Sequence, residues 1–396
     1  MKTKIVSATP ASIALLLAIS AAASAAGHHP VFRVDTSNPT ADKPQSKTWY
    51  AEGSWWALLP RKSGPSLWQR TASGWREHRE VTRSLNGLPG RADVWFDKDG
   101  ATAVVVKDRT LAVLRLRPRG EAPIRWQAHV LAKWPVPPGK PIETATIARD
   151  GTGRWWIAAP VDREVLAWTS ADGSTWSAAS MIASGLDGDD ICLVTALPDG
   201  VGVLWSDQQR DGVFLRHHRN GDPPESWDAP EVVETGHRTA DDHLNAALTS
   251  DGTLWVASKN SVDRVGEPQL VLRIRIPSGR WRNIPYANNE STRSPSRPVV
   301  AVGSGGRMVL YGHTIYDSTL RTRDHIVFGK IGTAEDPPGF GSPMVAIAPA
   351  ATLQSTVNNV TRPKLAFPED APWIVLASDR EGRVYEADLR ALFGNR

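Results

Sequence analysis

The sequence predicts an all-β fold, a seven-bladed β-propeller whose last blade is closed by the N-terminal strand. Tryptophan recurs in one slot, at Trp75, Trp126, Trp176, Trp227 and Trp281, with spacings of 51, 50, 51 and 54 residues. A second slot holds turn-then-apolar runs: GSWWALL from Gly53, GRWWIAA from Gly153, DGVGVLW from Asp199 and DGTLWVAS from Asp251. A period near 50 residues built from short β-rich runs is what a ring of four-stranded sheets produces. Glycine and proline total 62 (32 + 30), as many tight turns require, and no long helical periodicity occurs.

The chain opens with Lys2 and Lys4, an apolar run from Ile13 to Ile19, and Ala23-Ser24-Ala25. That is the pattern of a secretory signal peptide over residues 1–25, and the run is too short for a membrane span. Residues 26–396 are then expected to form one propeller domain, periplasmic or secreted. Losing Lys2 and Lys4 takes the formal charge from +4 to about +2 (4 − 2). That balance, with no like-charge run, argues against nucleic-acid coating. No second segment is apolar enough to span a bilayer, and a monomer without membrane contact is expected.

Aligning the units places inner-strand starts near Gln45, Arg91, Ile142, Asp189, Asp241, Ser296 and Thr361. Blades one to six have room for four strands. The seventh has three, at Lys364–Phe367, Trp373–Ala377 and Arg383–Leu389. The unpaired N-terminal strand Pro30–Asp35 supplies its fourth, which removes an open edge and ties the termini together. Trp56, Trp156 and Trp255 share one slot and are expected in the core. Trp49 and Trp95 lie close to inner-strand starts and are candidates to flank a sugar ring. The one cysteine, Cys192, sits in an apolar run and reads as a buried thiol with no disulfide.

TSADGSTW (Thr169 to Trp176) resembles the Asp-box turn of sialidase-like propellers, one residue short, and NGDPPESW (Asn220 to Trp227) is a degenerate equivalent. In that family the turn is structural and lies away from the active face. KPQSKTWYAEGSWW, RADVWFD, VGVLWSDQ, ADDHLNAA and IVLASD also look like segments of a broad group of bacterial secreted propellers. The resemblance implies the fold and export but brings no particular reaction. The chain departs from true sialidases: Phe32-Arg33-Val34-Asp35 lacks their proline, and no tyrosine occupies an inner-strand start.

Inner-strand starts of a propeller converge on one end of the central channel. Here they sort by charge. Lys47, Arg91, Arg297 and Arg362, with Lys364, form one arc; Asp189, Asp190, Asp241 and Asp242 form another, with His243 and Asn245 beside the last pair. Loops between second and third strands add Lys259, His313 and Tyr316. Three readings follow. In a glycoside hydrolase acting on an anionic glycan, two of the aspartates are acid and base, and the cations hold the substrate's charge. In a polysaccharide lyase, His243 or His313 with Tyr316 removes the proton beside a uronate that Arg297 neutralises. In a binding scaffold, the charges pair across the channel and seal it. No organic cofactor is expected, and no phosphate loop, nucleophile elbow or H-E-x-x-H occurs. Calcium at the mouth is the one ion considered. Strand alternation argues against a cage, since it puts Asp242 on the face opposite Asp241 and His243.

Overall fold

The computed structural model describes residues 27–41, 43–119, 125–290, 294–314, 326–333 and 338–390. Seven four-stranded antiparallel sheets form the blades. The inner strands are β2 (Thr48–Ala51), β6 (Arg91–Asp97), β10 (Thr146–Arg149), β14 (Cys192–Leu197), β18 (Leu244–Leu248), β22 (Pro295–Val302) and β26 (Asn358–Thr361). Each leads outward through three more strands. Blade four, for example, continues as β15 (Gly200–Asp207), β16 (Gly212–Arg219) and β17 (Glu231–Thr235). Blade seven continues as β27 (Ile374–Ser378) and β28 (Arg383–Asp388), and the N-terminal β1 (Phe32–Arg33) pairs antiparallel with β28. The expected closure is therefore present. A single α-helix, α1 (Arg79–Ser84), links blades one and two among the described residues, and no helix there is long and apolar enough to cross a membrane.

The tryptophan period has a packing cause. Trp56, on the second strand of blade one, meets Trp126 of blade two at 5.0 Å between ring centres. Trp156 of blade three meets Trp227 of blade four at 5.4 Å in the same way. At these two seams a second-strand tryptophan docks against a tryptophan in or just before the outer strand of the next blade, where its large ring area excludes water. A charged interlock repeats beside it. Arg70 and the Trp75 indole donate to Glu386, across the blade seven to blade one seam. Arg275 and the Trp281 indole donate to Glu231, across the blade four to blade five seam. Bidentate guanidinium–carboxylate pairs fix the angle between neighbouring sheets.

Two expectations need correction. Trp49 and Trp95 are buried core residues, so neither flanks a sugar ring. The inner strand of blade seven is Asn358–Thr361 rather than Lys364–Phe367. Pro363 offers no N–H to a ladder, and the side chains of Arg362 and Lys364 turn into the channel instead. Cys192 is fully buried, as expected, and burial pushes its thiol pKa up.

Candidate functional site

The channel is closed by a polar plug. Arg362 is 1% exposed; its guanidinium donates to Asn245 Oδ1 through Nε at 2.9 Å, to Ser46 Oγ at 2.8 Å, and to the carbonyls of Pro363 and Ala246. Asn245 in turn donates to the Lys43 carbonyl at 3.0 Å. The Lys364 ammonium pairs with Asp93 and donates to the Ile147 carbonyl. Asp93 also accepts the backbone N–H groups of Ser46 and Ile147, each at 2.7 Å. Lys47 donates to Gln45 Oε1 at 2.7 Å and to the Ala92 carbonyl at 3.0 Å. Burial pushes Arg362 down to about 9 and lowers Lys364, with Asp93 opposing both shifts. Charges this deep persist because they are paired and hydrogen-bonded. Lys47, Asn245, Arg362 and Lys364 thus hold six blades' inner ends together; the sequence had assigned them to substrate, and their donors are already spent on the protein.

The open chemistry lies at the rim, between blades five and six. Asp241, Asp242 and His243 precede β18 in a bend, so strand alternation does not separate them. Both carboxylates converge on one nitrogen: His243 Nδ1 is 2.5 Å from Asp241 Oδ1 and 2.5 Å from Asp242 Oδ1. Lys43 pairs with Asp242, and Lys259 with Asp241, which also accepts from Ser261 Oγ at 2.9 Å. Burial opposes ionisation of Asp242, but the His243 hydrogen bond and charge and the Lys43 charge outweigh it and hold the carboxyl well below the usual range. His243 Nε2 is buried and has no partner among the described residues. His243 lines a cavity of about 650 Å³ together with Arg238, Lys259, Ser261, Ser296 and Arg297.

Arg297 is the unusual member. Its backbone is left-handed, with φ +53°, where β22 slips register between Ser296 and Val299. Its guanidinium donates to Asn359 Oδ1 at 3.2 Å and forms no ion pair among the described residues. Burial lowers its pKa, against the attraction of Asp242, Glu143 and Asp241. A non-glycine residue in this region is strained, and such strain collects at functional positions.

The other candidates stand apart. Asp190 is buried and accepts from Asp187 N, Ser206 Oγ and Gln208; burial raises its pKa despite these bonds. Asp189 is exposed and accepts from Gln208 Nε2 at 3.0 Å. No hydrogen bond or ion pair among the described residues joins this pair to Asp241 or Asp242. Arg91 is exposed at the first position of β6 and donates to the Glu143 carbonyl at 3.1 Å. His313 is placed by its backbone in β23 (Arg307–Thr314), opposite Ser296, and Tyr316 lies outside the described residues. Lys43 and Ser261 were missed. Lys43 belongs to the segment between the closing strand and blade one, which nothing in the strand alignment brings over blade five.

Asp241, Asp242 and His243 place one donor atom each within 4.8 Å of one another, a spacing open to a cation. Calcium takes about six to eight oxygens. This set offers two carboxylates and an imidazole, and a lysine already neutralises each carboxylate. The residues do not fit a calcium cage.

The Asp-box-like turn has the geometry its sequence suggested. Asp172 Oδ1 accepts from Ser170 Oγ and from the N–H groups of Ser174 and Thr175, and the Trp176 indole donates to the Gly173 carbonyl. These bonds hold the Asp172 carboxyl well below its usual range. The turn joins a third strand to a fourth, at the end of the ring opposite the inner-strand starts.

No protein-family model matches the sequence, and no curated protein does. Solved structures share the architecture. The β-propeller domain of Cps50 (Swd1) from Myceliophthora thermophila is similar with a TM-score of 0.51 and 9% identity, over 89% of this chain and 98% of that one. A protein from Lactobacillus plantarum matches with a TM-score of 0.51 and 13% identity, over 80% and 88%. An α-L-arabinanase of Penicillium chrysogenum, solved with arabinobiose, gives 0.45 and 12%, over 78% and 97%. At these identities the two matches at 0.51 speak to the fold and to nothing about chemistry, and the seven blades are read from the sheets themselves.

Proposed function

We propose that this chain is an exported, monomeric, sialidase-like propeller that binds an anionic glycan at the rim of its channel mouth, between blades five and six. The observation that carries the reading is Arg297: a guanidinium in a strained backbone position, with no ion-pair partner among the described residues, on a cavity large enough for a sugar. A cavity of about 650 Å³ is within the ~300–1,000 Å³ of small-ligand sites. A guanidinium fork matches a carboxylate or sulfate. Galacturonate oligosaccharides should bind, and neutral oligosaccharides of the same length should not. Equal retention of both on the wild-type protein would count against an anionic ligand.

Hydrolysis by paired aspartates is poorly supported by this geometry. It needs one carboxyl kept protonated and two facing free volume. Asp241 and Asp242 share an imidazole, and Asp242 is held ionised. The second reading with support is elimination from a uronate. Two carboxylates hold His243 through Nδ1, and the neutral form of the ring would offer Nε2 as the base. The proton next to the carboxylate would pass to Nε2 and its electron pair would form the new carbon–carbon double bond. The bond to the leaving glycosidic oxygen would break, and that oxygen would take a proton from solvent. Arg297 would stabilise the charge that builds on the carboxylate. Ultraviolet absorbance of an unsaturated uronate product distinguishes this from binding alone.

A further inference from the structure

A second cleft opens on the same face of the ring, between blades one and two. It measures about 540 Å³. One wall is the segment Thr36–Ala41 that leads from the closing strand, pinned by bonds from Asn38 N to the Asp379 carbonyl and from Thr40 Oγ1 to the Asn359 carbonyl. The opposite walls are two turns between second and third strands. The first joins β3 (Ser54–Arg61) to β4 (Gly64–Thr71), and the second joins β7 (Gly100–Lys107) to β8 (Thr110–Arg119). Turns of this kind lie at the inner-strand-start end of every blade, which is the end that carries His243 and Arg297.

The lining is strongly basic. Arg61, Lys62, Arg91 and Lys107 face one acidic side chain, Asp108. Arg61 is committed to Glu77 at 3.1 Å. Lys62 and Lys107 are exposed, and among the described residues neither ammonium has an ion-pair partner. The backbone beneath them is fixed: Lys62 N donates to Asp35 Oδ1 at 3.1 Å, and the Asp108 carbonyl accepts Ile142 N at 2.6 Å. Two ammonium groups on anchored turns, over a cleft, suit a compact oxyanion.

We propose that this cleft is a second anion subsite, and that the ligand is an extended acidic polysaccharide carrying sulfate or carboxylate groups. One acidic group would sit between Lys62 and Lys107 while another occupies the Arg297 cavity across the mouth. The plugged channel between them leaves the face continuous. The inference rests on the glycan reading above and narrows it from an acidic sugar to a polyanionic chain.

The test is binding of dextran sulfate, with unsulfated dextran as the blank, to the full chain at two salt concentrations. The paired variant Lys62→Glu/Lys107→Glu should bind about tenfold more weakly, with a shallower salt dependence. Arg119→Glu/Arg280→Glu makes the same charge change on turns at the opposite end of the ring and should bind as the wild type does. Unchanged affinity in the first variant, or an equal loss in the second, would overturn the proposal, since the second outcome marks attraction to net charge alone. Arg297→Gly keeps the two readings apart. If it leaves dextran sulfate binding intact while the lysine pair abolishes it, the cleft stands and the rim site fails.

Discussion

Arg362 and Asn245 meet across the closed channel: the guanidinium of blade seven donates through Nε, at 2.9 Å, and through Nη2 to the amide oxygen of blade five. Blade four has Leu193 at the slot where blade five has Asn245. The polar substitution one step deeper in blade five is therefore explained by the arginine it receives. Removing the partner of a buried charge costs about 3–5 kcal/mol. Asn245→Leu should lose that much in chemical denaturation, and Arg362→Ala, which removes the charge itself and leaves neutral acceptors unpaired, about 1–3 kcal/mol. Neither should weaken glycan binding in the protein that remains folded.

Closure of the ring depends on Gly382. It sits in the turn between β27 and β28 at φ +77°, and a Cβ there would lie 2.0 Å from the Val34 carbonyl oxygen. The Val34 N–H donates to the Gly382 carbonyl at 2.8 Å. Gly382→Ala should cost about 2–3 kcal/mol, from backbone strain and from displacement of the closing strand. Protection of the β1 and β28 amides in hydrogen exchange should fall more than that of β15.

Strain at Arg297 is separable from its charge. Glycine accepts a positive φ freely, whereas alanine keeps the penalty and loses the guanidinium. Arg297→Gly should be more stable than Arg297→Ala by about 1 kcal/mol. Equal thermal midpoints would show that the position is relaxed in solution.

Asp242 sets an acid limit. Its folded pKa is depressed by His243 and Lys43, so its contribution to stability is complete above the ordinary carboxylate pKa of about 4 and is lost as pH falls through the folded value. A stability profile from pH 7 downward should therefore decline below about 4. Asp242→Asn should flatten that decline and start from a lower plateau, because it removes the partner of Lys43.

The ring was legible because its signal is repeated. Tryptophans of successive blades pack on one another, so they recur at the blade period and fix strand number and closure together. Strand starts were less legible. Those of blades one, three, four and five fall about three or four residues later than expected: Lys47 N and the Ala145 carbonyl bridge blades before their ladders begin, and the Asp190 and His243 side chains bond within their own bends. The candidate site was legible as a set of residue types and not as partners. Position along the chain does not say whether a mouth cation meets protein or ligand. Arg362 and Arg297 occupy equivalent slots, each before a proline, yet one is spent on Asn245 and the other faces a cavity.

The central claim is that the rim binds an acidic glycan while the channel only holds the ring together. Its most direct test is an equilibrium titration of galacturonate oligosaccharides against the wild-type protein and Arg297→Gly. Affinity should fall about tenfold or more in the variant, with its thermal midpoint preserved. Equal affinity in the two proteins would contradict the claim.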